Sequence, residues 1–260
     1  MDDGLAGRSA LVTGASRGIG RATSLRLAAA GMRVAAAARD ATALEALRAD
    51  AVGSPGEMLP VAADLSTEAG PGAAVAQAVA AFGGLDLLVN NAGATGRGDF
   101  LALTEADWAS GFGLKFLGAV RATRAAWPHL VSRGGAVVNI GGVGGRVASA
   151  EFAIGGAVNA ALMNLTKALA DRGVTEGVRV NLINPGSVAT GRLTGRLRAK
   201  MREADVDEAE AARLLAAETG VARFAAPEEI AEVVAFLASR RASYVQGALL
   251  DVDGGWVRAV

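Results

Sequence analysis

The chain has 260 residues, 52% of them hydrophobic and only 4% aromatic, and its 26 basic residues are balanced by 26 acidic ones. That balance, with no basic tract, excludes a compositional case for nucleic acid or an anionic membrane surface. The absence of cysteine excludes a disulfide framework, a thiol nucleophile and a zinc–thiolate site.

No apolar run reaches the ~18–20 residues of a membrane helix, and the acidic start Met1-Asp2-Asp3-Gly4 is unlike a signal peptide. A cytoplasmic protein is expected. The first strand is expected near 9–13. From it the run Thr13-Gly14-Ala15-Ser16-Arg17-Gly18-Ile19-Gly20 leads into an alanine-rich helix near 19–30. Strand, glycine turn and helix form the context of a phosphate-binding turn. Gly14 permits a tight turn, Gly18 lets backbone approach a pyrophosphate, and Gly20 lets the helix pack on the strand. The helix N-terminus adds N–H donors and partial positive charge.

A second strand near 33–38 ends at Arg39-Asp40, with Asp40 read as the cap of a helix over 41–50. A third strand near 58–62 runs into Ala63-Asp64-Leu65. The Asp64 carboxylate either accepts from an adenine amino group or caps the helix near 67–82, a job Ser66 and Thr67 also suit. A fourth strand near 85–89 ends in Asn90-Asn91-Ala92-Gly93, which is either an edge for a ligand or an Asx-type turn. A helix over 105–131, a strand at 136–140, a helix over 151–172 and a strand at 178–183 follow. That last strand runs into Asn184-Pro185-Gly186. The charged segment 187–220 reads as helical, either a lid over a ligand or a solvated helical pair. Pro227 starts a helix over 227–239, and the final strand near 248–251 closes on Asp251-Val252-Asp253-Gly254-Gly255. Alternating strands and helices without a long linker predict one α/β domain over 1–260. It is a doubly wound sheet of parallel strands with helices on both faces.

These five motifs, in this order, resemble the short-chain dehydrogenase/reductase family over essentially the whole chain. The resemblance implies a Rossmann-like sheet of seven parallel strands, a nicotinamide dinucleotide, a small-molecule substrate and a homodimer or homotetramer. It places the dinucleotide on Gly14, Ser16, Arg17, Gly18, Ile19, Gly20, Asp64, Leu65, Asn91, Ala92, Gly93, Pro185, Gly186 and Thr190, the last against the nicotinamide carboxamide. An NAD-preferring member carries an acidic residue after the second strand, where this chain has Ala38-Arg39. Arg39 and Arg17 are therefore read as partners of a 2′-phosphate, favouring NADP(H) over NAD(H).

The family's chemistry rests on an Asn, a Ser, and a Tyr and Lys four apart on one helix face. Carried onto this chain, those positions hold Lys115, Gly142, Gly155 and Asn159, so all four differ from the pattern. The usual proton relay is expected to be absent. Lys and Asn stand exchanged, either a retained positive charge at Lys115 with Asn159 as hydrogen-bonding partner, or a chance replacement. The space beside Gly142 and Gly155 is expected to be filled by Phe152, a bulkier substrate or water, and Gly155-Gly156 in a helix suggests close backbone approach. Glu151, Ser149 and Ser187 are weaker candidates to line the pocket, and the lone His129 reads as a cap or surface residue. No metal site is expected. The reading that follows is an atypical NADP(H)-dependent oxidoreductase acting on a carbonyl, alcohol or activated alkene. The alternative is a non-catalytic dinucleotide-binding partner subunit or sensor.

Overall fold

The computed structural model describes residues 3–258, the side chain of Arg192 excepted; Met1 and Asp2 of the acidic start lie outside the described residues. Seven parallel strands form one sheet: β1 (Ser9–Thr13), β2 (Arg33–Ala38), β3 (Glu57–Ala62), β4 (Leu87–Asn90), β5 (Ala136–Ile140), β6 (Arg179–Pro185) and β7 (Leu249–Val252). Their spatial order is β3-β2-β1-β4-β5-β6-β7. The chain winds outward from β1 to β3, then returns to β4 on the other side of β1. A topological switch point therefore lies between β1 and β4.

The strands are buried on both faces, and period-two alternation sorts their residues into two cores. Val12, Val34 and Ala36 join Leu27, Leu44, Leu47 and Val234 from α1 (Gly18–Ala29), α2 (Ala41–Asp50) and α9 (Pro227–Ala238). Leu11, Ala35 and Ala37 face the other way. There they meet Val75, Ala78, Phe82, Trp127 and Ala170 from α3 (Gly70–Phe82), α5 (Gly118–Arg133) and α6 (Ala153–Glu176). The run of four alanines in β2 leaves the bulk of both cores to the helices. Among the described residues no helix is long and apolar enough to cross a membrane.

The expected elements are present, with three informative shifts. The helix read from 67 begins at Gly70. Residues 64–67 instead close a turn in which the Asp64 carboxylate accepts from the Ser66 N–H at 3.0 Å, and the Thr67 hydroxyl accepts from the Gly70 N–H at 3.0 Å. The cap position of α3 is Ala69, which has no side-chain capping bond; Thr67 holds the entry to the helix through the Gly70 N–H, and Pro71 in the first turn suits a helix start there. The helix read as continuous over 105–131 is broken. It consists of α4 (Glu105–Phe112), a π-helical segment at Gly113–Leu117, and then α5. Glycines at 111, 113 and 118 weaken the regular ladder at that point. The segment 187–220 forms α7 (Gly191–Ala204) and α8 (Glu208–Glu218). These two pack on a small core of their own, Leu193, Leu197, Ala211 and Leu215, and the Lys200 ammonium bridges Glu203 and Glu218.

Asp86 pins the amino ends of the strands. It is 7% exposed and its Oδ2 accepts from the Ser9 N–H and the Ser9 hydroxyl, both at 2.9 Å. Arg8 and Arg133 approach the same carboxylate at 3.3 and 3.4 Å. Burial works to raise the Asp86 pKa, yet the Ser9 donors and the two guanidiniums outweigh it and hold the carboxyl below its usual range. A depressed folded pKa contributes stability that is complete above the unfolded value of about 4 and is lost as pH falls through the lower folded value. Asp86→Asn is therefore expected to cost ~2–3 kcal/mol in urea unfolding at pH 7. At pH 3 the gap to the parent should narrow; an equal gap at both pH values refutes the charge-based account.

Candidate dinucleotide and active site

The carboxyl ends of β1 and β4 meet at the switch point. Gly14 follows β1 with φ +67°, and a Cβ there would stand 2.8 Å from the Ala92 backbone. Gly18 opens α1 with φ +54°. Both conformations strain any residue with a side chain. A Cβ on Gly20 would fall onto the Gly14 carbonyl, so that position is closed to larger residues by contact alone. The first turn of α1 contains no acidic residue, and its cap, Arg17, makes no side-chain capping bond. The helix end thus keeps its partial positive charge for an outside anion.

Asn91 reaches across to the glycine turn. Its side-chain amide donates to the Thr13 and Gly14 carbonyls at 2.9 and 3.1 Å, and its backbone N–H donates to the Thr13 hydroxyl at 2.9 Å. The Asn90–Gly93 stretch therefore buttresses the glycine turn. Beneath it lies a buried polar chain that sequence reasoning missed. The Asn90 amide donates to Asn139 Oδ1 at 2.9 Å and to Thr123 Oγ1 at 3.0 Å, and the Asn139 amide donates to Thr166 Oγ1 at 2.9 Å. These bonds lock β4, β5, α5 and α6 together just below the site.

Arg39 is exposed after β2. It is close enough to Asp64 to add to the depression of that carboxyl, whose main cause is hydrogen bonding from Ser66. Asp40 caps α2, accepting from the Ala43 N–H at 3.0 Å. Ser16, Arg17 and Ile19 line the rim of the glycine turn, with Arg17 exposed. Leu65 is buried beside Ala92 and Leu114.

The structure brings Lys115 to the same end of the sheet. It sits in the π-helical segment, half-buried, and its aliphatic stem crosses Gly93 so closely that a Cβ there would be 2.9 Å from Cδ. The ammonium donates to the Gly141 carbonyl at 2.8 Å. Lys115 therefore bridges the ends of β4 and β5. Continuous α-helix would place that side chain on another face, because a π turn rotates the residues that follow it.

Gly142 sits next to Asn159, whose Nδ2 would be 3.0 Å from a Cβ at 142. Asn159 is 3% exposed and its Oδ1 has no hydrogen-bond partner. The loop after β5 is held by a chain read in the sequence only as strand ends. The Gly142 N–H donates to Asn184 Oδ1 at 3.2 Å, the Asn184 amide donates to Asp251 Oδ1 at 2.9 Å, and Arg146 pairs with Asp251 at 3.1 Å.

Phe152 occupies the space beside Gly155. A Cβ on Gly155 would clash with the ring at Cζ, and one on Gly144 would be 2.8 Å from Cε1. Of the three fillers considered for that space, the aromatic ring is the one the fold places there. Arg97 lies over the far side of the ring, its Cζ 4.6 Å from the centroid. Gly156 answers to the same crowding: a Cβ there would stand 3.0 Å from the Gly144 carbonyl.

Pro185 ends β6, and Gly186 lies so close to Asp253 that a Cβ would meet its Cα at 2.8 Å. Thr190 caps α7, and its Cγ2 would be 3.1 Å from a Cβ on Gly18. The start of α7 therefore stands against the glycine turn, and paired backbone bonds between Ser187–Ala189 and Ala225 close the base of the α7–α8 segment. Ser149 and Glu151 are exposed, with the Glu151 carbonyl accepting from the Gly98 N–H at 3.0 Å. The Ser187 carbonyl is used by Ala225, and His129 sits near the C-terminal end of α5, away from this end of the sheet. Among the described residues no three His, Cys, Asp or Glu side chains are grouped to hold a metal ion.

A family model described as enoyl-(acyl carrier protein) reductase matches residues 14–257. The 3-oxoacyl-[acyl-carrier-protein] reductase of Thermotoga maritima is 32% identical over 254 residues, 97% of this chain and 99% of that protein. Among solved structures, L-sorbose reductase from Gluconobacter frateurii, complexed with NADPH and L-sorbose, superposes with a TM-score of 0.95 at 32% identity over the whole of both chains. A short-chain dehydrogenase from Burkholderia cenocepacia in complex with NADP gives 0.85 at 33% identity, over 97% of this chain and 98% of that one.

Proposed function

We propose, since this chain belongs to the short-chain dehydrogenase/reductase family, that it is an NADP(H)-dependent oxidoreductase acting on a small carbonyl or alcohol, or on an activated alkene, through an atypical active site. The observation that carries the reading is the meeting of the Gly14–Gly20 turn with Asn91–Gly93 at the switch point. A dinucleotide fits what is there. The turn has no room for side chains at 14 and 20, the α1 N-terminus has no internal anion, and the buried, unpartnered Asn159 Oδ1 suits a hydroxyl donor.

When bound, the nicotinamide supplies or accepts the hydride. The chain's own residues do the rest. Backbone at Gly14–Ile19 holds the pyrophosphate, Asp64 and Leu65 the adenine, Arg17 and Arg39 the 2′-phosphate. Asn159 accepts from a ribose hydroxyl, and Pro185, Gly186 and Thr190 face the carboxamide. On the family pattern that the sequence resembles, Gly142 and Gly155 take the Ser and Tyr positions, so no phenol moves the proton. The Lys115 ammonium stabilises negative charge developing on the substrate oxygen, and water or the substrate provides the proton. The α7–α8 pair acts as the lid that excludes bulk water.

Calorimetric titration tests the cofactor reading. NADPH should bind at least about tenfold more tightly than NADH, a gap of ~1.4 kcal/mol, and Arg39→Gln with Arg17→Gln should erase that preference while leaving NADH unchanged. No binding of any dinucleotide overturns the proposal. A 3-oxoacyl thioester and L-sorbose, the carbonyl types in two relatives' names, open the substrate panel.

A further inference from the structure

The opposite end of the sheet, where the strands begin, carries a second concentration of charge that the dinucleotide site does not use. A cleft of about 440 Å³ is lined there by four arginines, Arg8, Arg133, Arg179 and Arg240, with Ser239 and Ser243 between them. The fold assembles them from four places. Arg8 precedes β1, Arg133 ends α5, Arg179 opens β6 and Arg240 follows α9.

Some of this charge has internal partners. Arg8 and Arg133 share the single carboxylate of Asp86. Arg179 is spent on the end of α9, donating to the carbonyls of Leu237 at 2.6 Å, Ala242 at 3.2 Å, Ala238 at 3.3 Å and Ser239 at 3.5 Å. The C-terminal ends of α5 and α9 add about half a negative charge each. That leaves four guanidiniums facing about two negative charges. The Nη groups of Arg8 and the whole Arg240 guanidinium have no protein acceptor among the described residues. Burial, and then repulsion from Arg8, hold the Arg179 pKa below the usual arginine range.

We propose that this cleft is a binding site for a small phosphate-bearing anion, separate from the dinucleotide turn. Guanidinium forks arriving from several directions match a tetrahedral dianion, which accepts on several oxygens at once. A lone carboxylate satisfies one or two forks, and Asp86 already does so. The volume lies within the range of small-molecule sites and has room for a diphosphate or a phosphomonoester. Arg240, Arg8 and Ser243 supply the donors, and Arg179 supplies fixed charge.

The test is calorimetric titration of the full chain with inorganic phosphate, pyrophosphate, glycerol 3-phosphate and succinate. Saturable binding of the phosphates, weakening with added salt, is expected, with succinate at least about tenfold weaker. Preference for glycerol 3-phosphate over the inorganic ions would identify the occupant as an organic ester, and the reverse as free phosphate. Arg240→Glu is exposed and replaces no internal bond, so it should fold normally and weaken binding about tenfold or more; Arg8→Gln with Arg240→Gln should do the same. Arg17→Gln with Arg39→Gln should leave it unchanged. The opposite pattern places the anion on the glycine turn and overturns the proposal, as does equal binding of succinate or no saturation at millimolar phosphate. None of these outcomes depends on whether NADPH binds.

Discussion

Lys115→Met lowers kcat by about 10²–10³ on any carbonyl substrate the chain turns over, the usual cost of removing one group that stabilises a developing oxyanion. Methionine keeps most of the stem that lies across Gly93 and removes only the charge, so the fold is expected to survive. Lys115→Ala should lose the same activity and also the packing on Gly93. The physical basis is position. The ammonium donates to the Gly141 carbonyl at 2.8 Å, one residue before the glycine that faces Asn159, so its charge is held at the end of β5 where substrate is expected. Initial rates from NADPH absorbance, with circular dichroism and NADPH affinity as controls, decide it. Unchanged kcat in the methionine variant removes Lys115 from the mechanism. A parent protein that binds NADPH but turns over nothing on a broad carbonyl panel points instead to a binding or partner role.

Most of the fold was legible because its signals are local. The Thr13–Gly20 turn, Pro227 at a helix start and the alternation of apolar strands with alanine-rich helices each have a short-range cause, and their order implies a parallel sheet. The break at Gly113–Leu117 was not legible as such. Its glycines look like ordinary weak points in a long helix, and only packing decides that the helix widens there. The same is true of the turn at 64–67: three neighbouring residues offer a capping oxygen, and the backbone path leaves them in the turn while Ala69 takes the cap position.

The site divides along the same line. Motif order brought Gly14, Gly18, Gly20 and Asn91–Gly93 together, and the structure shows why they belong together: a side chain at 14 or 20 meets backbone from the neighbouring segment. Lys115 reaching Gly141 follows from counting positions plus the helix break. The chain from Gly142 through Asn184 and Asp251 to Arg146 joins residues up to 105 positions apart; no local pattern announces such links. Arg97 over Phe152 was equally silent, since a loop arginine after a glycine motif reads as solvated until a ring is placed beneath it.

Phe152 dictates how a conventional relay must be rebuilt. Gly142→Ser, Gly155→Tyr and Asn159→Lys would install three of the four residues the family pattern calls for. In this fold, however, the Cβ of any residue at 155 clashes with the Phe152 ring. The half-buried ring sits between α6 and the Gly144 loop with Arg97 over it, so making room at 155 requires it to move. Overpacking of this kind costs ~1–3 kcal/mol, and the triple variant should show that loss in urea unfolding while gaining little activity, because its phenol is pushed off position. Adding Phe152→Ala should recover most of the stability, with a coupling of ~1–3 kcal/mol between positions 152 and 155 in a double-mutant cycle. The fourfold variant should then exceed the triple in kcat by about 10²–10⁴, the worth of a positioned general acid. Additivity of the two substitutions would show that the ring moves freely aside. A triple variant as stable and as active as the fourfold one would show that Phe152 does not occupy the phenol's place. Either way the comparison isolates one cause: whether the relay is missing only for want of its side chains, or because the pocket has been rebuilt around an aromatic ring.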